Sequence, residues 1–325
     1  MKVNIFKYAT SELSQDAFLC WLIENSHPQY SDNNDLYQAA CAFVHFLINA
    51  DEESYNKPIN HIRVYKQQNH VDVRFVVNEE IKVIIEDKID TGEHGNQLND
   101  YKKNEEKKLK DNQKLICIYL KTGNESIASL NEIQKKGYRI ILRKDILNIL
   151  SKYSVKNDFY TDYLEYIQEL ENKTNAYLST PYKEWKDLAW QGFYTVIEKD
   201  LRWAKWDYIS NPAGGFWGLH WYWAKKSDCT MYLQIEKDGK LCIKVEISKE
   251  RNVAAIRKKW HNELMKQCKL LNYNEVYKPQ RFGYGHWVTI GCIDPKDYIG
   301  EGIFNQEQIM KNLRKYEELI EKCTE

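Results

Sequence analysis

At 325 residues the chain has room for two domains of ordinary size, each with its own core. Its 47 basic and 47 acidic side chains cancel, which argues against a broad polyanion-coating surface while leaving room for a local basic groove. No apolar run approaches the ~20 residues of a membrane span, and the start MKVNIFKYATSE lacks a secretory pattern. Eight cysteines are scattered without a C-x-x-C pair or zinc spacing, which points to buried free thiols in a reducing cytosol.

The first predicted helix follows Glu12-Leu13-Ser14-Gln15-Asp16, with Phe18, Trp21 and Leu22 as its apolar stripe and Ser14 as a cap. Glu12, Gln15 and Asp16 can share the opposite face, where acids complement the helix dipole. A second helix is expected over Asp35–Asn49, with His45 in its apolar packing, and a strand over His61–Tyr65. Then comes VDVRFVVNEEIKVIIEDK, two β-branched runs around the polar loop Asn78-Glu79-Glu80, which reads as an antiparallel hairpin. Val71, Val73, Phe75 and Val77 fall on one face by alternation, and Asp72, Arg74 and Val76 on the other. If Val77 pairs with Ile81, Asp72 stands opposite Glu86, and Lys88 projects from the same face as Glu86. Two carboxylates and an amine then meet at the mouth of an apolar sheet. Such a group suits phosphodiester hydrolysis with Mg2+ (or Mn2+), which binds through one or two carboxylates and makes a bound water acidic. A neighbouring lysine can orient or deprotonate that water, its pKa lowered by desolvation.

Gln97 and Tyr101 follow at i and i+4 on a helix expected to run to about Lys108. Its tail, KKNEEKKLKDNQK, mixes signs and reads as a solvated face. Leu115–Leu120 reads as a buried strand and Tyr138–Leu142 as another, with helices at Lys144–Leu150 and Asp158–Glu171.

The series Asp72, Glu86-Asp87-Lys88, Gln97-Leu98-x-x-Tyr101 resembles the PD-(D/E)XK nuclease superfamily over roughly residues 1–175. The Pro that gives the family its name is absent, since Val71 precedes Asp72. The resemblance implies a restriction-endonuclease-like α/β core, a mixed sheet flanked by helices. It implies that Asp72, Glu86 and the Asp87 carbonyl hold the metal and that Lys88 positions the water. Glu12 would be a further ligand, since the E-x-x-Q-D-x-F-L-x-W-L run looks like the family's first helix, and Gln97 would support the site. Tyr101, Lys102, Lys103 and Arg74 are the expected nucleic-acid contacts.

The polar stretch Asn172–Thr180 reads as a linker, dividing the chain into a nuclease-like domain, 1–175, and a recognition or regulatory domain, 176–325. Nine of the ten tryptophans lie from Trp185 onward. A helix over Tyr182–Leu201, strands within Trp206–Trp223, a hairpin around Lys237-Asp238-Gly239-Lys240, a helix over Glu250–Leu271, a strand near His286–Cys292 and a last helix at Gln306–Lys322 give an α+β domain on an antiparallel sheet. Its aromatics are core, or Trp206, Phe216, Trp217, Trp221 and Trp287 line a pocket for a flipped or modified base or another ligand. Arg251, Arg257, Lys258, Lys259 and Lys266 form a solvated face or a phosphate-contacting one.

The reading is a cytosolic Mg2+-dependent endonuclease, DNA favoured, in a prokaryotic restriction or anti-phage setting. Double-strand cutting would call for a homodimer. The alternatives are a catalytically silent nucleic-acid binder and a protein whose second domain senses a small molecule or protein activator.

Overall fold

The computed structural model describes residues 3–49, 55–68, 70–93, 95–211, 214–248, 252–283 and 285–323. The chain divides into two compact units, one of residues 1–124 and 130–172, the other of 125–129 and 173–325.

The first unit opens with α1 (Glu12–Glu24) and α2 (Asn34–Ile48). Three strands follow, β1 (Ile62–Gln68), β2 (Val71–Val77) and β3 (Ile81–Lys88), then α3 (Gln97–Glu106) and β4 (Lys114–Lys121). Next come α4 (Ile127–Lys135), whose first three residues count with the second unit, β5 (Arg139–Leu142), α5 (Arg143–Leu150) and α6 (Asp158–Thr174), whose last two do. The strands lie in the order β1-β2-β3-β4-β5, antiparallel through β3 and parallel from β3 to β5. This is the expected mixed sheet flanked by helices. Val73, Phe75, Val83, Ile85, Ile118 and Leu120 turn one face into a core with Leu19, Leu22, Phe43, Leu47 and Tyr163. Ile84, Cys117 and Tyr119 turn the other face toward Leu98 of α3 and Ile133 of α4.

Four departures from the sequence reading have local causes. α4 had no place in it, although Ile127, Leu130 and Ile133 repeat at helical spacing. Val71, the first residue of β2 after left-handed His70 (φ 68°), packs with Ile84 and Tyr119, away from Val73. Ser11, not Ser14, holds the N-cap position of α1. The expected linker is helical through Thr174 and continues as a 3-10 turn, Asn175–Leu178, whose Tyr177 is buried.

The second unit contains α7 (Asp187–Glu198), β6 (Lys205–Ile209), β7 (Phe216–Lys225), β8 (Thr230–Ile235) and β9 (Leu241–Glu246). It ends with α8 (Val253–Leu271), β10 (Trp287–Ile293), the single turn α9 (Pro295–Tyr298) and α10 (Gln306–Lys322). Its sheet runs β10-β9-β8-β7-β6, antiparallel throughout. One face of the sheet forms the core with α7, α8 and α10 through Leu219, Trp221, Leu233, Ile243, Trp260 and Leu313. Arg251, expected on the basic face of α8, lies outside the described residues.

Candidate active site

The β2–β3 register runs from Val77↔Ile81 to Val73↔Ile85, and one step further sets Asp72 against Glu86. Asp72 Oδ2 accepts the Asp87 backbone N–H at 2.9 Å. Lys88 Nζ lies 2.6 Å from Glu86 Oε1 and 3.9 Å from Asp72 Oδ2. α3 packs on this face of the sheet, and its first turn delivers Gln97, whose Nε2 donates to Glu86 Oε1 (3.0 Å) and to the Tyr101 hydroxyl (2.7 Å). Glu12 comes from α1 to the end of β3. Its Oε1 accepts the Ile89 backbone N–H at 3.1 Å and the Thr91 hydroxyl at 2.8 Å. The Ile89 carbonyl meanwhile faces Gly123, where an added Cβ would sit 1.9 Å from the oxygen. Only glycine fits a backbone approach that close.

Burial first, and the charge of Asp72 second, push the Glu86 carboxyl up to about 7, with Lys88 opposing. Burial also raises Asp72. On Lys88, burial works against the ammonium, but the hydrogen bond and charge of Glu86, with Asp72 and Glu12 behind, outweigh it and hold the amine above its usual value. Desolvation thus acts in the direction the sequence suggests, but the carboxylates reverse the net shift. With both acids ionised, Glu86 Oε2 is buried without a hydrogen-bond partner. Excess negative charge and an orphaned oxygen are what a cation would relieve. Among the described residues no three His, Cys, Asp or Glu side chains form a ready-made metal cage. Mg2+ needs none, since it takes one or two carboxylates and completes its shell with water and phosphate oxygens.

The middle residue of the triplet serves the opposite face of β3. Asp87 is fully buried, and its Oδ1 accepts from Gln15 Nε2 at 2.6 Å. Gln15 Oε1 in turn accepts the Thr122 hydroxyl at 2.9 Å and the Tyr163 hydroxyl at 3.2 Å. Asp16, also buried, is pushed up to about 6 by burial and by the charge of Asp72. Burial first, and the charge of Asp16 second, raise the Asp87 carboxyl well above its ordinary value. Sequence reasoning assigned Asp87 only a carbonyl. Alternation turns its side chain into the core, where a carboxyl needs partners, and that signal was available.

The expected nucleic-acid contacts divide. Tyr101 stands beside Gln97, and Lys103 is exposed. Lys102 Nζ donates to the Lys136 carbonyl at 3.3 Å. Arg74 is committed elsewhere: it bonds Gln68, lies 4.4 Å over the Tyr65 ring and pairs with Glu105 at 3.4 Å. Glu105 belongs to the tail read as a solvated face, yet it is 1 % exposed and also holds Lys82 (3.3 Å) and Lys108 (2.9 Å). The five aromatics expected in one pocket are not together. Trp206 and Trp221 are core residues, with Trp221 Nε1 donating to Glu317 at 2.8 Å. Phe216 and Trp217 line a cavity of about 830 Å³ in the second unit, and Phe216 and Trp287 line another of about 460 Å³.

A mixed five-stranded sheet carrying an acidic hairpin, an adjacent lysine and a flanking helix defines a restriction-endonuclease-like core. The family model described as the PD-(D/E)XK nuclease superfamily matches residues 3–209, and the chain belongs to that superfamily. The match runs past residue 175 through α7 and β6. No curated protein and no solved structure matches the chain. Nucleases of this superfamily typically use divalent metals. No helix among the described residues is long and apolar enough to cross a membrane.

Proposed function

We propose that the chain is a Mg2+-dependent endonuclease hydrolysing phosphodiester bonds, DNA favoured, in a restriction or anti-phage setting. The observation that carries the reading is the convergence of Asp72, Glu86 and Lys88 at one end of β3, with Glu86 Oε2 buried and unpartnered. Asp72, Glu86 and the Asp87 carbonyl would hold the cation, with Glu12, brought by α1 to the end of β3, as the further ligand. When bound, a hard divalent cation polarises the phosphoryl group and acidifies a water.

The chain's own residues supply the rest. Gln97 fixes the Glu86 rotamer, and Tyr101 holds Gln97 in turn. Lys88, whose Nζ lies 2.6 Å from Glu86 Oε1, is placed to position the attacking water or a phosphate oxygen.

The test is cleavage of plasmid DNA, modified phage DNA, single-stranded DNA and RNA with Mg2+ or Mn2+, beside Glu86→Ala and Lys88→Ala. Metal-dependent cleavage lost by at least about a hundredfold in both variants is expected, as for removal of a charge-stabilising group. Equal behaviour of wild type and variants on every substrate would sink the reading and leave a silent nucleic-acid binder.

A further inference from the structure

The second sheet's other face turns away from the core formed with α7, α8 and α10, and its side chains are of a different kind. β7 carries a bulge: Trp221 pairs with Leu233 and Ala224 with Met231, so one extra residue lies between. That residue is Tyr222, held at φ 58°, a conformation few non-glycine residues adopt, with its ring buried and its hydroxyl on Glu321. Without the bulge, alternation would send Trp223 into the core beside Trp221. With it, Trp223 lies on the open face, stacked on Tyr232 with ring centres 4.2 Å apart and planes 13° apart, and edge-on to His220 at 5.5 Å. Bulges that re-aim a side chain are a recurrent device at binding sites.

Trp223, His220, Gln234, Glu236 and Phe216 line the cavity of about 460 Å³ already described, with Trp287, 61 % exposed, at its rim. That volume lies in the range of small-molecule pockets, about 300–1,000 Å³. Its polar groups suit a neutral, planar ligand with a hydrogen-bonding edge. His220 Nδ1 is buried without a partner, and burial lowers the imidazole's pKa, favouring the neutral form. Gln234 is buried and donates to Glu236 Oε1 at 3.1 Å, leaving its own amide oxygen as an acceptor. The cavity's lysine, Lys244, is paired with the same Glu236 oxygen at 2.6 Å, so the lining offers a balanced charge and not a phosphate trap.

We propose that this face binds a nucleobase, its ring stacked on the exposed Trp287 beside the stacked Trp223–Tyr232 pair and its edge read by His220, Gln234 and Glu236. The chemistry is that of base-stacking platforms, where aromatic faces supply affinity and a few polar groups supply preference. The base has two sources, a free nucleotide or an unpaired or flipped base of a strand. The second is the one that the nuclease reading brings to hand, and the proposal rests on that reading only there.

The test uses the full chain in EDTA, so that nothing is cut. Fluorescence anisotropy measures binding of labelled single-stranded DNA and RNA 12-mers, and calorimetry measures binding of the individual nucleoside monophosphates. Trp287→Ala is the safest variant for the fold, because the ring is largely exposed. Trp223→Ala and Trp223→Phe accompany it, with near-ultraviolet circular dichroism as the check on folding. Trp287→Ala and Trp223→Ala should weaken binding by roughly tenfold each, Trp223→Phe by less, and an abasic 12-mer should lose affinity for wild type. Mononucleotide binding with this dependence assigns the site to a free nucleotide, and 12-mer binding alone assigns it to a base in a strand; either upholds the proposal. Unchanged affinity in folded Trp287→Ala and Trp223→Ala, or no binding of any probe by wild type, overturns it. A protein that binds through Trp287 yet cuts nothing under Mg2+ keeps this proposal and loses the nuclease reading. One that cuts while ignoring both tryptophans does the reverse.

Discussion

Burial and the facing charge of Asp72 hold Glu86 at about 7 against an ordinary 4.5, so the folded chain binds this proton more tightly than the unfolded chain does. The carboxylate therefore burdens the fold increasingly as pH rises from about 4.5 to about 7, and by a constant amount above that. Glu86→Gln, which stays neutral, should melt progressively higher than wild type across that window, and the gap should close toward pH 4.5. Calorimetric scans of both proteins without metal check this; a gap that shrinks as pH rises would contradict it. The same proton competes with a cation. Mg2+ or Mn2+ affinity should fall as pH drops below about 7, with proton release on binding near neutrality, readable by titration in buffers of different ionisation enthalpy. At this scale the sequence was informative where contacts are local. The hairpin register and the i, i+4 pair of Gln97 and Tyr101 need only a short loop and one helical turn. Asp87's partner Gln15 lies far away in the chain, on α1, and the groups that hold Gln15 lie after β4 and on α6, and periodicity does not reach that far.

Among the elements, α3 is the one whose placement decides whether Gln97 meets Glu86. Its last turn is pinned to the sheet by Glu105, which faces Arg74 of β2 and Lys82 of β3. Against the burial that raises it, the Lys108 hydrogen bond first, and the charges of Lys82 and Arg74 after it, hold the Glu105 carboxyl below its usual value. Glu105→Leu would strand two nearly buried cations, a change that costs about 3–5 kcal/mol when a buried pair is broken from one side. Chemical denaturation should show a loss of that order, and any residual cleavage should fall with it, because α3 loses its anchor. Glu105→Gln, which keeps some hydrogen bonding, should lose less. The sequence concealed this anchor, since an acid within a run of lysines looks the same whether solvated or buried. It concealed the β7 bulge for a similar reason: no glycine marks it, and Tyr222 takes the left-handed position instead.

For the molecule as a whole, the change of composition at Trp185 marks a real change of architecture, from a mixed sheet to an antiparallel one. The polar stretch read as a linker contains the division between the units, at residues 172 and 173, but that division lies inside the continuous helix α6 and not in an irregular segment. Cation binding to the first unit should be visible in the stability of the whole chain, since a ligand that binds only the folded state stabilises it by about 2.7 kcal/mol at a hundredfold excess over Kd. Mg2+ should accordingly raise the wild-type melting temperature and leave that of Asp72→Ala nearly unchanged. Equal shifts in both proteins would place the bound ion elsewhere.

Gly123 has no side chain to offer the reaction, yet it sits against the carbonyl of Ile89, whose N–H holds Glu12. In a saturation scan scored by cleavage, position 123 should therefore behave as intolerantly as Lys88. Even Gly123→Ala must push the Ile89–Asp90 peptide and loosen the grip on Glu12. A reader of such a scan who took intolerance as a mark of chemistry would count one residue too many, because here the chain's own thickness sets the limit.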